Sequence, residues 1–199
     1  MSTVALSGRF DCALVYATHV HAGQVRKGAE IPYVAHTLAV AALVLEHGGR
    51  EDEAIAALLH DAAEDQGGEE RLADIRGRFG ERVEMIVRAC SDDLPALGEQ
   101  KRGWRERKEA YLAHLEVVDE SVLLVSAADK LHNARAILLD YGTVGEEIWD
   151  RFKVSRDETL WYYRRVSEIL TKRLPGPLTR ELADTVARLD ELAAGPGVQ

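Results

Sequence analysis

Along this chain apolar positions recur at spacings of three and four, segment after segment, and no stretch gives a convincing period of two. The spacing predicts an all-α fold with no sheet. Phe10, Leu14 and Ala17 mark a first helix, capped by Ser7 and running to about His21. A loop from Ala22 to Pro32 follows. Pro32 suits the first turn of a second helix, with Ala35, Leu38, Ala39, Ala42 and Leu45 inward and Gly48-Gly49 at its end. A third runs from Ala54 through Asp65 to Gly67-Gly68. Two short helices are expected at about Glu70 to Arg78 and Glu81 to Ala89, the second with Val83, Ile86 and Val87 inward.

From Ser91 to Arg107 the pattern lapses, which predicts a loop longer than the ~12–15 residues usual for a compact domain. Helical spacing resumes through Tyr111, Leu112 and Leu115, and Val122 to Leu138 form a long helix whose first half is nearly all apolar. Thr143 with Glu146, and Ser155 with Glu158, read as capping boxes. They open a short helix around Trp149 and a longer one carrying Leu160, Tyr163, Val166 and Leu170, in which Trp161 and Tyr162 read as packing residues. Pro175-Gly176-Pro177 precedes a last amphipathic helix through Leu182, Val186 and Leu189. With 199 residues and no internal repeat, residues 1–199 are expected to form one domain, which buries roughly 70% of its unfolded surface.

Two of these helices carry chemistry. On a continuous helix at about 100° per residue, Glu64 falls about 40° from His60, Asp61 about 100° and Asp65 about 140°, with Ile55, Leu59 and Ala62 opposite. A purely carboxylate face would read as solvated surface. An imidazole among carboxylates, at the end of so apolar a segment, points instead to a bound cation or a proton-transfer site. On the long helix, Asp129 enters a stretch that should be buried, where an isolated carboxylate is costly unless paired or metal-bound. Asn133, four residues on, shares its face. His36, one turn into the second helix, completes a set of two imidazoles and two carboxylates with His60, Asp61 and Asp129. That set suits one borderline divalent ion such as Mn²⁺, Fe²⁺ or Zn²⁺ better than Mg²⁺ or Ca²⁺.

Charge sharpens this picture. A net charge of -9 works against non-specific nucleic-acid binding, so an anionic ligand has to be met locally. Lys101, Arg102, Arg105, Arg107 and Lys108, around Trp104, form either an anion-facing lid or a solvated linker. No apolar run approaches the ~20 residues that span a bilayer, and the start lacks a basic region followed by an apolar one, so no membrane association and a cytoplasmic location are expected. Cys12 and Cys90 have no metal-like spacing and read as small core residues. His19, His21, His47 and His114 read as surface or satisfied residues, and His132 as a packing residue.

The H…HD…D arrangement of His36, His60-Asp61 and Asp129 resembles the HD phosphohydrolase superfamily, an all-helical fold in which those residues hold a metal. R-K-G-A-E-I-P-Y-V-A-H (26–36), L-L-H-D-A-A-E-D (58–65), F-G-E-R-V (79–83) and A-D-K-L-H-N (128–133) resemble, more closely, the RelA/SpoT-type (p)ppGpp hydrolase domain and its small stand-alone versions, such as the metazoan SpoT homologue. The resemblance covers about residues 10 to 140. It implies that His36, His60, Asp61 and Asp129 are metal ligands, with Mn²⁺ the expected ion, and that Glu64 and Asp65 are catalytic. It further implies that Arg26 and Lys27 contact the nucleotide, Arg26 by stacking on the base, and that Asn133 bonds the ribose or base region.

Lys101, Arg102 and Arg105 join these as substrate-facing candidates on charge alone. The implied reaction releases pyrophosphate from the ribose 3′ position of ppGpp or pppGpp, leaving GDP or GTP. A chain of this length is expected to hydrolyse without synthesising, with an alarmone synthetase as a partner. Alternatives are an HD phosphohydrolase acting on pGpp, ppApp, NADPH or an RNA-end phosphate, and a non-catalytic alarmone-binding regulator or antitoxin. The segment from Lys101 to Lys108 and Ala136, one turn beyond Asn133, depart from the family pattern in regions that bear on the substrate.

Overall fold

A computed structural model describes residues 5–92, 94 and 102–194. Their helices are α1 (Gly8–Val20), α2 (Val34–Glu46), α3 (Glu51–Leu59), α4 (Ala62–Asp65), α5 (Gly68–Phe79), α6 (Glu81–Cys90), α7 (Trp104–Leu115), α8 (Glu120–Val144), α9 (Arg156–Arg173) and α10 (Pro177–Ala193). A 3₁₀ segment, Gly145–Arg151, links α8 to α9. Among the described residues there is no strand, only one antiparallel bridge between Val25 and Pro32.

The core forms around α3. Every residue from Ala54 to Leu59 is fully buried, because α1, α2, α6 and α8 all pack on this short helix. Its small alanines let those neighbours approach while Ile55, Leu58 and Leu59 fill the space between them. On the other side of α8 lie α9 and α10, and Asp119 caps α8 by accepting from the Val122 amide at 3.1 Å.

Several expectations are corrected. The helix read as continuous from Ala54 to Asp65 breaks at His60-Asp61, between α3 and α4. Thr143 is no cap, because α8 continues through it and its hydroxyl donates back to the Leu139 carbonyl at 3.4 Å. The lapse after Ser91 ends at Trp104, so Arg105, Arg107 and Lys108 stand on α7 and not in a loop. Cys12 is exposed on the outer face of α1, since Ala13 and Ala17 take the inner one. The caps at Ser7 and Ser155 are as read, accepting from the amides of Arg9 and Glu158 at 3.2 Å each.

The segment between α1 and α2 is held as a tight loop. Arg26 N donates to Ile31 O at 2.8 Å and Tyr33 N to Gln24 O at 2.9 Å. Gly28 has φ +75°, and a Cβ there would lie 2.4 Å from Arg151 Cδ, so both the turn and its seat against the 3₁₀ segment require glycine. This fixes Arg26 and Lys27 beside α8.

Candidate metal centre

The break between α3 and α4 changes where the side chains point. A regular helix would separate His60 and Asp61 by about 100°; with the helix interrupted, His60 Nε2 lies 3.0 Å from Asp61 Oδ2. His36, from α2, places Nε2 3.6 Å from the same oxygen and 3.3 Å from Asp129 Oδ1 of α8. His60 Nε2 is 3.6 Å from Asp129 Oδ1. Metal–ligand bonds of about 2.0–2.2 Å put neighbouring donor atoms about 3–3.5 Å apart, which is the spacing found.

Two orphan atoms test whether a cation fits. Nε2 of His36 and Nε2 of His60 are buried without a hydrogen-bond partner, and buried polar atoms rarely stay so. His60 Nδ1 lies 2.8 Å from the Ala57 carbonyl and must donate to it, which leaves the lone pair on Nε2 facing the carboxylates. Donor atoms of His36, His60 and Asp129 all lie within 4.8 Å of one another. The residues fit a divalent ion held by two nitrogens and by carboxylate oxygen.

Burial and neighbouring charges compete at these side chains. Burial alone would raise Asp129, but the Lys130 ammonium, 2.5 Å from Oδ2, and then the two imidazoles hold it well below the usual carboxylate range. Burial likewise opposes the charge on Asp61, and His60 and His36 outweigh it. His60 is pushed down by burial and more strongly up by Asp61 and Asp129. The Tyr33 hydroxyl donates to Asp61 Oδ2 at 2.5 Å, and burial, followed by the Asp61 charge, raises the phenol.

The other expected residues lie around this centre. Glu64 and Asp65 line a cavity of about 230 Å³ with Asp61 and Asp129. Asp65 Oδ2 accepts from Gln24 Nε2 at 2.7 Å, and His21 Nδ1 stands 2.8 Å from Gln24 Oε1. Asn133 donates to Asp129 Oδ1 at 2.5 Å and accepts from Arg26 Nη2 at 3.0 Å. Lys27 lies over the Phe152 ring, 5.3 Å from its centroid. A larger cleft of about 530 Å³ opens beside Arg26, Lys27 and Asn133.

The basic residues after Ser91 divide. Arg105 bonds Glu109 at 2.8 Å and Glu158 at 3.2 Å and stacks on Trp161, 3.3 Å from the ring centroid. Arg102 precedes α7 and gives its carbonyl to Arg107 Nε. Lys101 lies outside the described residues. Arg107 and Lys108, which were not singled out for the site, both hold Asp92 at 2.6 Å, and Lys108 lines the cavity shared by Asp61, Glu64, Asp65 and Asp129.

Sequence reasoning passed over four further neighbours. His132, read as packing, has Nδ1 2.8 Å from Nδ1 of His36; burial, then His36 and Arg26, push its imidazole down to about 4. Lys130 stood beside Asp129 in an apolar run, a signal equal to that of the aspartate itself. Tyr33 and Gln24 flank the R-K-G-A-E-I-P segment, and nothing in their spacing marks them.

The HD domain family matches residues 13–152 of the sequence.

This chain belongs to the HD-domain family.

Within that family it resembles the guanosine-3′,5′-bis(diphosphate) 3′-pyrophosphohydrolase MESH1 of Xenopus tropicalis, 33% identical over 170 residues that cover 80% of this chain and 84% of that protein. A GTP pyrophosphokinase of Streptomyces coelicolor is 37% identical over 133 residues, covering 65% of this chain but 15% of that enzyme. Among solved structures, a metazoan orthologue of SpoT that hydrolyses ppGpp superposes with a TM-score of 0.69 at 26% identity, over 98% of this HD-domain chain and 99% of that one. The four expected ligands and Glu64-Asp65 all fall within the matched residues. No helix among the described residues is long and apolar enough to cross a membrane.

Proposed function

We propose that this HD-domain protein is a metal-dependent hydrolase of (p)ppGpp, releasing pyrophosphate and GDP or GTP, with Mn²⁺ as its ion. The observation that carries the reading is the adjacency of His36, His60, Asp61 and Asp129 to Glu64-Asp65 on one side and to Asn133 and Arg26 on the other. A nucleotide that puts its base or ribose against Arg26 and Asn133 has its 3′ substituent within reach of the carboxylates. A bound divalent ion supplies Lewis acidity, polarising the phosphoryl group and lowering the pKa of water.

The chain's own groups do the rest. Water adds to the phosphorus joined to the ribose 3′ oxygen, the P–O3′ bond breaks, and the 3′ oxygen takes up a proton. In this reading Glu64 and Asp65 accept the proton of the water and return one to the 3′ oxygen, which their position in the cavity beside Asp61 and Asp129 supports. Gln24 holds Asp65 with its amide N–H. Lys27 offsets phosphate charge, and Lys101, Arg102 and Arg105 are retained as weaker substrate contacts, Arg105 only after exchange of its present carboxylate partners. An alarmone synthetase partner is proposed on chemistry alone, because something must make the nucleotide that is degraded.

The test is a panel of ppGpp, pppGpp, pGpp, ppApp and NADPH given to the Mn²⁺-loaded protein, with separate readouts of phosphate and pyrophosphate. Pyrophosphate from ppGpp with GDP left behind supports the reading. Phosphate as the product, or turnover confined to another nucleotide, replaces it; binding of ppGpp without turnover favours a regulator.

A further inference from the structure

Beside the catalytic cavity lies a second of about 250 Å³. Lys108, Lys130, Asn133 and Tyr162 line both, so they form the wall between them. The second cavity is lined also by Lys27 and Lys153, and among the described residues no carboxylate lines it. Lys108 and Lys130 are paired with Asp92 and Asp129. Lys27 and Lys153 have no carboxylate within ion-pair distance among the described residues, in a chain whose net charge is -9.

Tyr162 is 5% exposed, and its hydroxyl is buried without a hydrogen-bond partner. The ring is well held, edge-on to Trp104 at 6.1 Å, against Tyr163 at 5.9 Å, and under the Lys108 ammonium at 4.9 Å. A phenylalanine would fill this place without stranding a donor, and a buried hydroxyl with no partner is destabilising. Nε2 of His36 and Nε2 of His60, the atoms that face the carboxylates of the neighbouring centre, are unpartnered in the same way. Tyr162 faces carboxylates across the first cavity, but on the side of the second the charges are ammonium groups alone, so the partner for which its O–H is kept there is an anion.

We propose that Tyr162 is a substrate-contacting residue, its hydroxyl donating a hydrogen bond to a phosphate oxygen of a pyrophosphorylated nucleotide at the wall between the catalytic cavity and the lysine-lined one. The proposal rests on the pyrophosphohydrolase reading for the identity of the nucleotide, and on the orphan hydroxyl for the contact. A hydrogen bond to a charged group, present in the ground state and kept in the transition state, acts on KM more than on kcat.

The experiment is Tyr162→Phe, which removes the oxygen and keeps the ring. KM for ppGpp should rise about 10- to 100-fold with kcat within about threefold. Affinity for inorganic pyrophosphate, titrated calorimetrically into the metal-loaded protein, should fall by a similar factor. The melting temperature should stay level or rise, because a stranded hydroxyl has been removed. Pyrophosphate affinity equal in the two proteins, no pyrophosphate binding to the parent, or a lowered melting temperature with affinity and KM kept overturns the proposal, the last by giving the hydroxyl an internal structural role. Product analysis on the parent protein tests the reading beneath it separately. Should ppGpp not be hydrolysed while Tyr162→Phe still weakens pyrophosphate, the contact stands with a different pyrophosphorylated ligand.

Discussion

His36 and His132 meet nitrogen to nitrogen, their Nδ1 atoms 2.8 Å apart, and only one of the two can carry the hydrogen. His36 must keep a lone pair on Nε2 for the carboxylate-lined centre, so in its neutral form its Nδ1 donates and His132 accepts. If His36 is a ligand as proposed, His132 fixes its ring from outside the ligand set. His132→Ala should weaken metal affinity about 10- to 100-fold, the usual effect of losing such a support. Metal titration followed by calorimetry measures it, and unchanged affinity would return His132 to packing alone.

Asp129→Ala should remove both bound metal and activity, since it takes away a ligand that also orders Lys130 and Asn133. Elemental analysis of the purified variant is the check. Stoichiometric metal at parental affinity would exclude Asp129 from the ligand set. Chelation of the parent protein should silence it equally.

Glu64→Gln keeps size and removes basicity. It should retain metal and substrate affinity while kcat falls by about 10² to 10⁴. Single-turnover pyrophosphate release beside metal analysis of the same sample separates the outcomes: lost metal makes Glu64 a ligand, and near-normal turnover shifts proton transfer to Asp65.

Asp92 fastens α7 to the end of α6 through Arg107 and Lys108. Burial opposes its charge, but Lys108 and then Arg107 hold its pKa below the ordinary value. A carboxylate depressed in the folded state stabilises fully above its unfolded pKa of about 3.9 and loses that contribution as the pH falls through the lower folded value. Asp92→Asn should therefore cost about 2 kcal/mol near neutral pH, with the gap to the parent closing below about pH 4. Urea denaturation at several pH values gives the answer; a gap independent of pH would mean that shape, not charge, holds α7.

Much of the helical order was legible because it rests on local signals. Ser7 and Ser155 cap the helices they were read to cap, and Asp129 betrayed itself as a carboxylate in an otherwise apolar half of α8. Thr143 failed because the S/T-x-x-E pattern does not tell whether the preceding helix has ended, and α8 passes through it. The break at His60-Asp61 left no trace in A-L-L-H-D-A-A-E-D, which contains neither Gly nor Pro. Tyr162, read as a packing residue, is indeed buried, but a residue type says nothing of whether its hydroxyl finds a partner.

The donor atoms of the metal centre come from α2, from the α3–α4 break and from α8, segments far apart along the chain. An ion shared among them is in effect a reversible cross-link, closing the same long loops that a disulfide between those helices would close. Because it binds only the assembled arrangement, its free energy adds to the stability of the fold in proportion to RT ln(1 + [ion]/Kd). On the proposed ligand set, metal-free protein should therefore melt lower and be cut faster by protease than metal-loaded protein, apart from any effect on activity.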